Sequence, residues 1–209
     1  MPDGSQPAGP LLNVNGTLYG TTYVGGTGRG CNGSDGCGTV FIITPAGKEH
    51  VIYSFAGSFG KDGANPYTSL LDIHGTLYGT TSQGGVPGAS ESYTGLGTVF
   101  AATTSGQESI LHSFAGGTDG ANPAAGLAIV NGQLYGTTFL GGTSGCTGGY
   151  GCGTVFSITT AVKERIRYAF TGADDSEGPR AGVTRANGIL YGTASGGAEG
   201  LGTVFTLKP

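Results

Sequence analysis

Apolar residues along this chain come in short runs broken by glycine-rich punctuation, and the runs recur in register. An apolar stretch at 11–14, 70–73, 127–130 and 183–186 leads each time into a turn dipeptide: Asn15-Gly16, His74-Gly75, Asn131-Gly132 or Asn187-Gly188. Such dipeptides supply the two left-handed positions of a tight hairpin, so the next run is predicted to lie antiparallel to the first. That next run is GTLYGTT at 16–22 and 75–81, GQLYGTT at 132–138 and GILYGTA at 188–194, each followed by a Gly-Gly step. After a loop of variable length comes GTVF at 38–41, 97–100, 153–156 and 202–205. A short turn then precedes HVIYSF, SILHSF and RIRYAF, which begin at His50, Ser109 and Arg165.

Four units therefore open at Asp3, Asp62, Asp119 and Asp175, spaced by 59, 57 and 56 residues, each with a proline four positions on. A fixed period of this length decides architecture before any single residue does. Four short antiparallel strands per period predict an all-β fold, a β-propeller of four repeats of about 57 residues. The predicted domain is 1–209, with repeats 3–61, 62–118, 119–174 and 175–209. The last repeat stops after GTVF, so its blade is expected to lack the outer strand. Three outcomes are then expected: closure within a monomer, a homodimer completing the ring, or a chain that is a fragment of a longer protein. The repeated LYGTT phrase reads as structural: leucine and tyrosine point to opposite faces, and glycine makes room for the next sheet.

Composition sharpens this picture. The 45 glycines could signal disorder, but the recurring apolar groups supply the burial that disordered chains lack. A net charge of −4, with the Lys and Arg residues of the last quarter interleaved with acids, excludes a nucleic-acid surface, which demands clustered cations. No apolar run reaches the length of a membrane span. The cysteines form two matching pairs, Cys31/Cys37 and Cys146/Cys152, at the same point of their repeats and with the same spacing. That duplication favours local disulfides and an oxidising location, extracellular or periplasmic.

In an up-and-down blade the variable loops and the four aspartates share one face. Asp3, Asp62, Asp119 and Asp175 are candidate ligands for Ca²⁺, which prefers carboxylate oxygens; the competing expectation is that each caps its own turn and no cofactor is held. Catalysis needs different groups at one point, so acid–base candidates are sought where the repeat is broken: Glu91, His112 and Glu177, with His74, Asp72 and Arg185 as further departures. No nucleophile elbow, HExxH or phosphate loop is present. Tyr93 and Tyr150 in the loops, and Tyr23 and Phe139 at the ends of the LYGTT strands, are candidate stacking platforms.

Three motifs co-occur: LYGTT, GTVF and the DGxxP seen in DGANPAAGLAIVNGQLYGTTFLGG. Together they resemble the GloVer tandem-repeat family of exported bacterial proteins, over essentially the whole chain. The resemblance implies an extracellular repeat protein and transfers no catalytic residue. The expected function is binding of a glycan or other surface polymer on the loop-rich face. The alternatives are a hydrolase or lyase acting on a polysaccharide or ester through loop carboxylates and His, and a purely structural repeat unit.

Overall fold

Each Asn-Gly or His-Gly step forms the tight hairpin its sequence calls for. Asn15, His74, Asn131 and Asn187 have φ between 49° and 52°, and the glycine that follows is also left-handed. In two turns the residue three positions before the glycine helps: Asn13 Oδ1 and Asp72 Oδ1 accept the N–H of Gly16 and Gly75, each at 2.9 Å. Asp72, one of the departures from the repeat, is thus a turn residue.

The structure is a computed structural model and describes residues 3–31, 35–57, 62–85, 95–143, 145–146, 149–172, 175–197 and 199–209. All strand pairing is antiparallel within four sheets. The first sheet holds β1 (Gly4–Pro7), β2 (Leu12–Val14), β3 (Thr17–Gly25), β4 (Thr39–Ile43) and β5 (Glu49–Ser54). The second holds β6 (Gly63–Pro66), β7 (Leu71–Ile73), β8 (Thr76–Gly84), β9 (Thr98–Thr103) and β10 (Glu108–Ser113). The third holds β11 (Ala121–Pro123), β12 (Ala128–Val130), β13 (Gln133–Leu140), β14 (Thr154–Thr159) and β15 (Glu164–Ala169). The fourth has three strands, β16 (Thr184–Ala186), β17 (Ile189–Ala194) and β18 (Thr203–Leu207).

The inner strand of the first three sheets is split, which the sequence pattern does not announce. β6 and β7 both pair with β8, and residues 67–70 arch away between them. The split coincides with a left-handed residue just before the proline: Gln6, Asn65 and Asn122, with φ of 57°, 57° and 56°, and Gly178 at the matching place in the fourth repeat. The arch is gripped from the preceding repeat. Thr21 Oγ1 donates to the Thr68 carbonyl at 3.1 Å, and Thr137 Oγ1 repeats the bond to the Ala181 carbonyl at 3.1 Å.

These contacts explain the spelling of the motifs. The second threonine of LYGTT meets the threonine of GTVF: Thr22 with Thr39 at 2.9 Å, Thr81 with Thr98 at 2.7 Å, Thr138 with Thr154 at 2.8 Å, all buried. Its glycine lies opposite the GTVF phenylalanine, as in Gly79 and Phe100. A Cβ there would fall 2.5 to 2.6 Å from the ring of Phe41, Phe100 or Phe156. The glycine therefore makes room for a ring of its own sheet, where the sequence pattern pointed to the neighbouring one. The glycine of GTVF faces the proline of the next repeat: a Cβ on Gly38 or Gly153 would stand 2.6 Å from Cδ of Pro66 or Pro179.

The chain divides into two compact units, Met1–Ser113 and Phe114–Pro209. At the start of the second unit Phe114 packs edge-on against Phe156, ring centroids 5.2 Å apart. In the first unit Tyr19, Val40, Phe55, Leu70, Leu77 and Phe100 are core residues, and Tyr53, Phe55 and Phe100 form a ladder of T-shaped contacts at 5.0 and 5.1 Å. The second unit repeats the ladder as Tyr168, Phe170 and Phe205, at 5.2 and 5.1 Å, over Val130, Tyr135, Val155 and Leu190. Both cysteine pairs are closed locally, Cys31 to Cys37 and Cys146 to Cys152.

Candidate functional site

In the second unit, Phe139 is the last residue but one of β13, and the repeat that follows enters through Glu177, Gly178, Pro179 and Arg180. Glu177 bridges to Ser195, its N–H donating to the Ser195 carbonyl at 2.9 Å, while Ser195 Oγ donates back to the carbonyls of Glu177 and Gly178. These bonds hold the segment beside β17 and open a groove. Its largest part, about 460 Å³, is lined by Arg180, Thr193, Ser195 and Leu201 among others, and it continues along Glu177 to Phe139 and Cys146. The Arg180 guanidinium lies 3.8 Å above the centre of the Phe139 ring. Such stacking holds a planar fork of N–H donors at a fixed angle.

The first unit has the matching pair. Tyr23, near the end of β3, meets Tyr67 edge-on with centroids 5.8 Å apart, and Tyr67 is 54% exposed. Tyr67 and Arg180 both stand immediately after the repeat's proline, on the arch that splits the inner strand. Asn65 Nδ2 donates to the Tyr23 carbonyl at 2.9 Å and ties that arch to β3. Sequence reasoning missed Tyr67 and Arg180, although both break the repeat: alanine occupies the position at Ala8 and Ala124.

Of the residues singled out from sequence, Tyr150 is 72% exposed in the loop after β13, while Tyr23 and Phe139 lie in the last pleats of β3 and β13, before Gly25 and Leu140. Phe139 presents a face to Arg180, and Tyr23 braces Tyr67, so the solvent-facing surfaces belong largely to their partners. Glu177 lines the groove. His112 lies half-buried in β10, in register with Val99, and His74 is a turn residue. Glu91 and Tyr93 lie outside the described residues.

The four aspartates serve their own turns. Asp3, Asp62, Asp119 and Asp175 accept the N–H groups of Gly4, Gly63 and Ala56, Ala115, and Thr171 respectively, at 2.6 to 3.0 Å. A Ca²⁺ ion at any of them would compete with these donors. In the first unit Asp62 also belongs to an acidic cluster that sequence reasoning did not assemble. Tyr53 Oη donates to Asp62 Oδ2 at 2.8 Å and lies 3.4 Å from Glu108 Oε2, while Glu108 Oε1 is buried without a hydrogen-bond partner. Burial first, and the Asp62 carboxylate second, push the Glu108 carboxyl up to about 8, against a smaller opposing effect of the Tyr53 hydroxyl. Burial and the two acids also push the Tyr53 hydroxyl up. Glu49 stands in the same relation to Asp3, its carboxyl raised by burial and by that aspartate.

Four antiparallel sheets built from repeated motifs define an all-β tandem-repeat protein. The chain belongs to the Gloeobacter/Verrucomicrobia repeat family, whose sequence profile matches residues 1–147 and again 31–209. No curated protein matches it in sequence. Similar solved structures include the tricorn protease (11% identity, TM-score 0.52, 92% of this chain on 16% of that one) and a putative gluconolactonase (17%, 0.50, 95% on 62%). Xylan β-1,4-xylosidase from Bacillus halodurans C-125 is a third (16%, 0.50, 99% on 40%). At these identities the likeness is one of fold, of the propeller-like kind. The chain spans between 16% and 62% of the length of these three relatives. Its two disulfides fit an oxidising, non-cytoplasmic setting. Among the described residues no helix is long and apolar enough to cross a membrane.

Proposed function

We propose that each of the four repeats is a propeller blade, the last without its outer strand, and that the protein is an exported binder of a glycan or similar surface polymer. The binding elements are the arch residues Tyr67 and Arg180, with Tyr150 and Glu177 beside the latter. The observation that carries this reading is the duplicated stack at the same repeat position, Tyr67 on Tyr23 and Arg180 on Phe139. An aromatic ring held by a neighbour offers stacking area to the C–H face of a sugar at little entropic cost. A stacked guanidinium offers several directed donors to hydroxyls or a uronic carboxylate. Glycosidic hydrolysis ordinarily uses two carboxyl groups flanking the bond. Among the described residues lining the second-unit groove, Glu177 is the one carboxylate, so binding without turnover is the better supported reading.

A panel of immobilised neutral and acidic glycans tests this. Tyr67→Ala and Arg180→Ala are each expected to weaken the best binder about tenfold, equivalent to roughly 1.4 kcal/mol. Melting temperature should hold, since both side chains are exposed. Undiminished binding by the double variant removes the reading.

A further inference from the structure

The fourth sheet has an open side whose complement is written three times in the same chain. β4, β9 and β14 each carry an outer strand, in one shared register with one bulge: Thr39 opposite Ser54, Val40 opposite Tyr53, Phe41 opposite Val51, and Ile43 opposite Glu49. The second sheet repeats it with Ser113, His112, Ile110 and Glu108, and the third with Ala169, Tyr168, Ile166 and Glu164. The outer strands thus share one pattern, Glu-x-Val/Ile-x-Tyr/His-Ser/Ala-Phe, at 49–55, 108–114 and 164–170. β18 has the same inner face but pairs only with β17 among the described strands. Val204 is consequently 73% exposed, whereas Val40, Val99 and Val155 at the same position are 0% exposed.

A second feature marks the same place. In the first unit, Tyr53 and Asp62 receive the Glu108 side chain, which is carried by the outer strand of the repeat that Asp62 opens, opposite Ala102. In the second unit Tyr168 and Asp175 are joined in the same way, Oη to Oδ1 at 2.6 Å. Here a cavity of about 200 Å³ stands in place of the glutamate, lined by Val155, Tyr168, Asp175, Phe205, Thr206 and Leu207. Leu207 occupies the register position of Ala102, so a glutamate opposite it would enter that cavity.

We propose that the free edge of β18 is a β-augmentation site for an extended segment of the pattern Glu-x-Val/Ile-x-Tyr/His-Ser/Ala-Phe, the outer strand of a further repeat of this family, bound antiparallel with its glutamate beside Tyr168 and Asp175. An unpaired edge supplies the backbone hydrogen bonds and the alternate side chains supply the selection. The three internal outer strands already fill their own sheets, so the partner strand comes from another repeat. This inference is independent of the glycan reading.

The probe is a labelled synthetic peptide spanning Gln107–Ala115, titrated against the full chain by fluorescence anisotropy, with a scrambled peptide as control. Saturable binding is expected, with slowed hydrogen exchange at the amides of β18. Val204→Lys should weaken it more than tenfold while leaving the melting temperature of the free chain unchanged, because the side chain faces water until the strand arrives. Tyr168→Phe should weaken it about threefold. No saturation with wild-type chain, equal binding of the scrambled peptide, or equal binding by Val204→Lys would each overturn the proposal.

Discussion

Replacing Gly79 with alanine is expected to lower the melting temperature by about 10 °C, a loss of roughly 2 to 3 kcal/mol for a unit of this size. The new Cβ would stand 2.6 Å from Phe100 Cζ and 2.8 Å from Cε1, with Leu70 Cδ2 at 3.1 Å. The ring cannot withdraw, because Phe100 is fully buried and Phe55 meets it edge-on at 5.1 Å. A tightly packed interior transmits the clash instead of absorbing it. Phe100→Leu alone should also destabilise, by emptying space under Phe55. Combined, the two changes should cost less than their sum, since the smaller side chain vacates the volume the methyl needs. Calorimetry on the four proteins settles the matter. Strict additivity, or a melting temperature within 1 °C of wild type for Gly79→Ala, would show that glycine is not required by the facing ring.

Glu108→Gln is expected to change stability little at pH 5 and to raise it at pH 8.5. The folded chain keeps the Glu108 proton up to about 8, while the unfolded chain releases it near the ordinary value of 4.5. Between those limits the folded state binds more protons than the unfolded one, so stability falls as pH rises through this window and levels off above it. Glutamine stays neutral throughout and removes that slope. The side chain is only partly buried, so the gain at pH 8.5 is discounted for solvent screening to about 1 to 2 kcal/mol. Chemical denaturation of both proteins at pH 5, 7 and 8.5 measures it. Parallel pH profiles would mean that the carboxyl is ionised in the folded chain at neutral pH.

Much of the architecture is legible in the letters because it is local. A left-handed pair at Asn131-Gly132 fixes a hairpin within four residues, and the alternation in LYGTT and GTVF follows from the pleat. The two disulfides were legible because the same spacing occurs twice. The split inner strand was not. Gly63–Pro66 contains glycine, asparagine and proline, which read as a turn, and it becomes a strand only by pairing with the far end of β8. Nor does periodicity say which neighbour a glycine must accommodate: alternation gives the face, while the identity of the ring over Gly79 depends on cross-strand register. The candidate site divides along the same line. Tyr150, Phe139 and Glu177 could be placed from their loops and strand ends. Tyr67 and Arg180 were hidden in that same proline segment, and the Tyr53, Asp62 and Glu108 cluster joins residues from two repeats, which no local pattern reports.

The hydroxyl of Thr21, and again that of Thr137, reaches forward to a carbonyl of the repeat that follows. Each of these two bonds is a one-way coupling, with donor behind and acceptor ahead. Because the acceptor is a backbone carbonyl, Thr68 and Ala181 serve alike although their side chains differ. Such a joint tolerates sequence change on its acceptor side and demands a hydroxyl on its donor side.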